Sequence, residues 1–316
     1  FNTKLISGNG GTQSLTGVGF KPDFTWIKSR SRADPHSLTD IVRGVASQLD
    51  SSLAGVPTTH SDAITSFNSD GFSLGSQADV NRSSTTFVSW NWLAGGSQGS
   101  SNTDGSINTT YTSVSTTAGF SISKYTGTGS TGTIGHGLGA EPEVIIVKKL
   151  NSSESWFSYH KPLGNTGRLV LNATDGVATD SGYWNSTTPT SSVFSVTSNG
   201  SNNASNDIYM AYCFAPKTGY SKFGSYVGND NNDGQFIYTG FKPALVIIKK
   251  TNEANDWFIQ DNKRLGYNAA NYYLEANTNL AEQSYSDIDL VSNGFKCRST
   301  GGGHNDGNYI YMAFAE

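Results

Sequence analysis

A proline, a lysine six residues later and a ring eight residues beyond that lysine recur along the chain: Pro22, Lys28 and His36, then Pro142, Lys148 and Trp156, then Pro243, Lys249 and Trp257. A frame that returns at fixed spacing marks a supersecondary unit used more than once, so the chain reads as a tandem of three related units rather than one large enzyme domain. The flanking residues extend the frame. Each proline leads an apolar strand, PDFTWIK (22–28), PEVIIVK (142–148) and PALVIIK (243–249). Each unit opens on a strand ending in glycine, KLISG (4–8), KYTG (124–127) and SYVG (225–228), and closes on an aromatic strand, TFVSWNWLA (86–94), DIYMAYCFA (207–215) and NYIYMAFAE (308–316).

These matches predict units over 1–94, 119–216 and 217–316. Residues 95–118 hold almost no large apolar side chain and read as a flexible Gly/Ser/Thr-rich linker without core contacts. Units two and three follow one another through Pro216 and Lys217 without a spacer, which predicts rigid packing between them. Within the units, short runs rich in Val, Ile, Tyr, Phe and Thr alternate with Gly, Asn, Ser and Asp turns. Only the stretch from Thr39 to Leu53 has a weak helical pattern. The continuous apolar runs VIIV (144–147) and LVII (245–248) suit strands covered on both faces. The fold class is all-β: three tandem antiparallel β-sandwich, jelly-roll-like repeats of about 95–100 residues, the size of small sandwich domains.

Composition narrows the partners. With 21 basic and 25 acidic residues the net charge is −4, and charged residues make up 15% of the chain, so no strong field points to nucleic acid. No apolar stretch approaches the ~20 residues of a spanning helix, so no membrane insertion is expected. Cys213 and Cys297 fall at non-equivalent places of the frame and read as buried thiols rather than a disulfide. The chain begins at Phe1 rather than Met, as a sequence does when an N-terminal part has been removed.

Several segments, among them GFKPDFTWIKSR (19–30), SWFSYHKPLG (155–164), GYSKFGSYVG (219–228), YTGFKPALVIIKKT (238–251), DNKR (261–264) and NYIYMAFAE (308–316), resemble the repeated segments of structural proteins of marine tailed bacteriophages. The resemblance covers all but the linker. It implies a virion protein, tail-fibre or tail-associated or otherwise structural, carrying an uncharacterised β-rich repeat domain. It also implies a place on the particle surface or tail, other virion proteins as partners and host adhesion as the task. The first unit departs from the pattern: His36 stands for the tryptophan, and Asn91 interrupts the aromatic closing strand, which predicts a different docking for that unit.

No chemistry stands out. The five histidines form no close metal pair, and His160 takes the place held by Asp40 and Asp261 in the other units, which suits a hydrogen-bonding position better than a catalytic base. Asp287 and Asp289 alternate on one strand without a repeat-independent acidic cluster. NDNNDG (229–234) resembles a calcium loop, yet its twelfth position is Gly240 rather than a bidentate glutamate, so a hairpin turn is the reading. No catalytic residue, metal site or cofactor is therefore assigned. The remaining signal is Tyr183 and Trp184, set in the polar run DSGYWNSTT, where solvent-facing rings could stack on a sugar with Asp180, Asn185 and His304 as hydrogen-bonding neighbours; Trp26, Trp90, Trp92, Trp156 and Trp257 recur with the frame and fill cores.

Three functions stay open: a non-catalytic virion structural protein, either a tail-fibre host-recognition protein or a capsid-surface decoration; a secreted carbohydrate-binding surface protein; and a glycan depolymerase, which would need two carboxylates across the scissile bond. The first is preferred. Exposed edge strands on small sandwiches need covering, which predicts a homo-oligomer, a trimer first, or attachment to other virion proteins.

Overall fold

A computed structural model describes residues 1–264, 270–300 and 303–316. Alternating β-branched and aromatic residues produce strands throughout, and the longest helices among the described residues are single turns such as Ala78–Asn81 and Ser181–Trp184. The architecture is all-β, in antiparallel sheets. Four strands occur in the same order in each segment of the chain. An opening strand (Asn2–Ser7, Phe120–Thr126, Ser221–Val227) pairs with the closing strand (Thr86–Trp92, Ile208–Phe214, Asn308–Phe314). The closing strand pairs in turn with the proline-led strand (Phe24–Ser29, Val144–Lys149, Leu245–Lys250), and that with the strand that follows the frame's ring or starts on it (Ser37–Asp40, Trp156–His160, Trp257–Asp261). Register agrees as well: Trp26 faces Trp90, Ile146 faces Tyr212, and Ile247 faces Met312.

Each four-stranded set carries a smaller outer layer, which makes it a sandwich. Gln13–Thr16, Gly71–Leu74 and Ile64–Asn68 cover the first over Ile27, Phe72 and Phe87; Gly132–Gly135 and Val193–Val196 cover the second; Phe236–Tyr238 and Gly294–Cys297 cover the third. Cys213, on the closing strand Ile208–Phe214, and Cys297, on the covering strand Gly294–Cys297, are free buried thiols. The opposite faces of the three sheets meet in one core containing Trp26, Trp90 and Trp92, Trp156 and Tyr212, and Trp257 and Phe314. Rings cross between segments at 5.1 Å (Phe24 to Tyr212), 5.6 Å (Trp92 to Phe314) and 5.8 Å (Phe214 to Phe314). A sandwich whose inner face is this aromatic cannot leave it in water, and the two sister faces are held nearby by the chain itself.

Four expectations are corrected here. Residues 95–118 are not a free linker: Thr109–Ser115 pairs with Phe120–Thr126 at the edge of the second sheet, and Ile107 is buried in that segment's core. An edge strand is held by its backbone ladder, so Thr, Ser and Tyr suffice to form it, and low apolar content hid it. The stretch Thr39–Leu53 is not helical; a strand over Ser37–Asp40 runs into turns and a short strand at Ser47–Gln48, because Asp40 Oδ1 accepts from Val42 and Arg43 backbone nitrogens and fixes a turn. Asn91 does not interrupt its strand; its fully buried amide accepts from Thr25 Oγ1 at 3.2 Å and donates to the Asn2 carbonyl at 3.1 Å. The turn at 229–234 is no hairpin, since the strands on either side, Ser221–Val227 and Phe236–Tyr238, pair with Asn308–Phe314 and Gly294–Cys297 instead.

The glycines ending the opening strands have a packing reason. A Cβ on Gly8, Gly127 or Gly228 would stand 2.0–2.2 Å from backbone atoms of Arg82, Ala204 or Asn305. The close approach brings a buried asparagine under the following loop each time. Asn81 donates to the Gly11 and Gly75 carbonyls, Asn203 to those of Ser130 and Thr197, and Asn305 to those of Asn231 and Ser299.

Candidate functional site

The frame residues tie the segments into a ring. Trp156 Nε1 donates to the carbonyls of Asp50 and Leu53 in the first segment, both at 3.1 Å, and Trp257 Nε1 to Val170 in the second at 3.0 Å. His36 closes the circle, with Nε2 at 3.0 Å from the Glu275 carbonyl and 2.9 Å from that of Thr278. Trp26 Nε1 donates to His36 Nδ1 at 2.8 Å, which fixes the neutral tautomer with the proton on Nε2. His36 therefore replaces a tryptophan without changing what the ring does, and the first segment docks as the others do.

A second set of contacts runs the other way around. Asp40 accepts from Tyr212 Oη at 2.8 Å, Asp261 accepts from Trp90 Nε1 at 3.0 Å, and His160 Nε2 donates to the Tyr311 carbonyl at 3.1 Å. Each aspartate also holds the arginine three residues on, Arg43 at 2.5 Å and Arg264 at 2.7 Å, as fully or almost fully buried ion pairs. These positions are joints between segments. The frame lysines are fully buried, with each ammonium against backbone carbonyls: Ser29 and Arg32 for Lys28, Ala54, Lys149 and Glu154 for Lys148, Thr174 and Lys250 for Lys249. Burial lowers the pKa of all three to about 8.

Tyr183 and Trp184 do not face solvent. They are 6% and 1% exposed, on a one-turn helix capped by Asp180, whose Oδ1 accepts from Gly182 N at 2.8 Å. Trp184 donates to the Gly167 carbonyl and lies 5.9 Å from the Tyr159 ring; Tyr183 lies 4.7 Å from Phe157, with the Arg168 guanidinium 4.8 Å from its own ring. The polar neighbours that suggested exposure cap the helix, with Asn185 in the left-handed region at φ 54°. His304 is packed in the last segment against Phe258, at 4.7 Å.

Register explains why those rings are covered. Leu49, Leu169 and Leu274 face Leu38, Ser158 and Ile259, so the next residues, Asp50, Val170 and Glu275, share one position, and Gln48, Arg168 and Tyr273 another. In the middle segment Arg168 and Tyr183 fill the space beside Phe157. In the first, the corresponding space is a cleft of about 240 Å³ lined by Gln48, Asp50, Val56, His60 and Asp79. In the last it is a cleft of about 350 Å³ lined by Asp256, Phe258, Tyr273, Glu275, Asp287 and His304, with Tyr285 contributing a ring that is 58% exposed.

The last cleft is the candidate site. Its carboxylates are held by neutral donors: Asn277 on Asp256 at 2.7 Å, Thr278 on Glu275 at 2.9 Å, Ser299 on Asp287 at 3.3 Å. His304 is buried, its Nδ1 lies 3.5 Å from Asp287 Oδ2, and neither ring nitrogen makes a hydrogen bond among the described residues. Burial raises the pKa of Glu275 and lowers that of His304, the latter against the pull of Asp287. Sequence reasoning noted Asp287 and His304 separately and missed Asp256, Tyr273, Glu275 and Tyr285. They lie where the segments differ from one another, so the signal was departure from the frame. Among the described residues no three His, Cys, Asp or Glu side chains are placed to hold an ion, and in the loop 229–234 Asn229 Oδ1 is taken by Asn231 N and Asn305 Nδ2.

The buried histidines set an acid limit. Burial lowers the pKa of His36 to about 3 and of His160 to about 4, and lowers His136 and His304 as well. Unfolded histidine takes up its proton near pH 6.5, so between there and about pH 4 the unfolded chain binds more protons than the folded one and stability falls as pH falls. Asp23, Asp50 and Glu275, shifted up by burial, oppose this fall once the pH enters the carboxylate range. Melting temperatures measured from pH 7 to 4 should fall steadily, and His160→Gln, which keeps an N–H donor without the titration, should flatten the fall. A melting temperature constant to pH 4.5 would contradict the assignment.

The profile of a domain of unknown function, DUF7483, matches residues 1–316, and the chain belongs to that family. No curated protein matches it.

Proposed function

We propose that this chain is a non-catalytic structural protein of a virion, most naturally a tail-fibre or tail-associated protein that presents its outer loops to a host surface, with capsid decoration as the alternative placement. One observation carries the reading: three sandwiches share one aromatic core and are tied to one another by the indoles of Trp156 and Trp257, by His36, and by the ammonium groups of Lys148 and Lys249. Such a block holds loops rigidly, which is what a display protein exposed outside a cell requires. The resemblance to phage structural proteins supports the address. The inner faces are covered within one chain, so contact with other virion proteins, or between copies in a homotrimer, would fall to the outer surface and its edge strands.

Mass spectrometry and gold-labelled antibodies on purified particles test the placement. The expected result is a fixed copy number with label on the tail or capsid surface; absence from particles overturns the reading. Light scattering separates a chain that also self-associates as a trimer from one that attaches singly. The last cleft favours a second reading, a sugar-binding surface protein, since it joins exposed aromatic area to carboxylates. Release of reducing ends from host glycans would instead make the chain a depolymerase.

A further inference from the structure

We propose that the cleft bounded by Asp256, Glu275, Asp287, His304 and the ring of Tyr285 binds a saccharide unit that bears no acidic group. Its volume, about 350 Å³, falls within the range of small-molecule sites. The walls supply both halves of sugar recognition: Tyr285 offers an exposed ring for the C–H face of a pyranose, and the carboxylates accept hydroxyls. Each carboxylate has a neutral hydrogen-bond donor and so keeps acceptor sites free, since an ionised carboxylate can accept about four hydrogen bonds.

Two further observations point to an occupant. His304 is 1% exposed, lines the cleft and leaves Nε2 without a partner among the described residues. A buried polar atom left unpaired costs stability, and a ligand hydroxyl at this nitrogen would recover it. The middle segment shows what the space accepts: there the chain inserts a flat ring, Tyr183, and a cation, Arg168, beside Phe157. An open copy lined by three carboxylates suits a ring bearing hydroxyls or an amine and repels uronates, sialates and phosphates. The site does not depend on the virion reading, because the purified chain should bind wherever it resides.

The test is a glycan array spanning neutral, amino and acidic saccharides, probed with the purified full chain, with hits titrated by calorimetry. Signals should be confined to neutral or amino saccharides. Tyr285→Ala and Glu275→Gln should each weaken binding about tenfold or more, as loss of one stacking or charged contact does. Because the Tyr285 ring is exposed, that variant should melt like the parent and keeps the test valid even if Glu275→Gln folds poorly. An empty array, hits confined to acidic saccharides, or affinity unchanged in Tyr285→Ala overturns the proposal.

Discussion

Replacing Asp261 by alanine should lower the unfolding free energy by about 3 kcal/mol, the lower end of the cost of breaking a buried ion pair, because Arg264 keeps a second carboxylate in Glu282. Asp261 accepts from Arg264 Nε at 2.7 Å, from the backbone nitrogens of Lys263 and Arg264 at 3.0 and 3.1 Å, and from Trp90 Nε1 of the first segment at 3.0 Å. Without it, a guanidinium with no exposed surface keeps the Ile259 carbonyl at 2.7 Å and Glu282 at 3.2 Å, and the indole N–H has no acceptor. Asp40→Ala should behave similarly, stranding Arg43 and the Tyr212 hydroxyl. Denaturant midpoints measure both. The double variant Asp261→Leu with Arg264→Met removes charge and counter-charge together and should recover part of the loss, as buried pairs replaced by apolar residues commonly do. A loss below about 1 kcal/mol for Asp261→Ala, the size of an exposed pair, would show that the carboxylate is not the buried joint described.

The Pro–Lys–ring frame was legible because each of its side chains does one job at three places, and equal geometry asks for equal residues: rings that donate outward, lysines that cap carbonyls, glycines where no Cβ fits. What those groups contact was not legible, since the acceptors are backbone carbonyls of Asp50, Leu53, Val170, Glu275 and Thr278, and a carbonyl has no residue signature. For the same reason three sandwiches could be read while their common core could not; an aromatic closing strand looks alike whether its inner face meets a partner chain or a sister segment. Thr109–Ser115 was hidden by composition, because an edge strand is specified by its ladder. The rings of Tyr183 and Trp184 misled because polar residues around a one-turn helix serve its ends, and the open cleft escaped notice because it is made of the residues that break the pattern.

The common core makes its own prediction. Trp257 lies between the segments, lining a central apolar gap of about 30 Å³ together with Trp26, Trp156 and Tyr212, and its indole is tied to Val170. Trp257→Ala should therefore cost about 3–5 kcal/mol, the usual range for deleting a buried aromatic. The gap is already present and its walls belong to three sheets, so they cannot close over the new void without moving all three. The form of the transition is the sharper test. Segments that were independent domains would unfold in separate steps, with only the last destabilised by the substitution. Segments that share one core should unfold together, before and after the substitution, with equal calorimetric and van't Hoff enthalpies and the whole transition shifted down. Two resolved transitions in the parent chain, or a component of the variant's unfolding that stays where it was, would mean that the segments stand on their own.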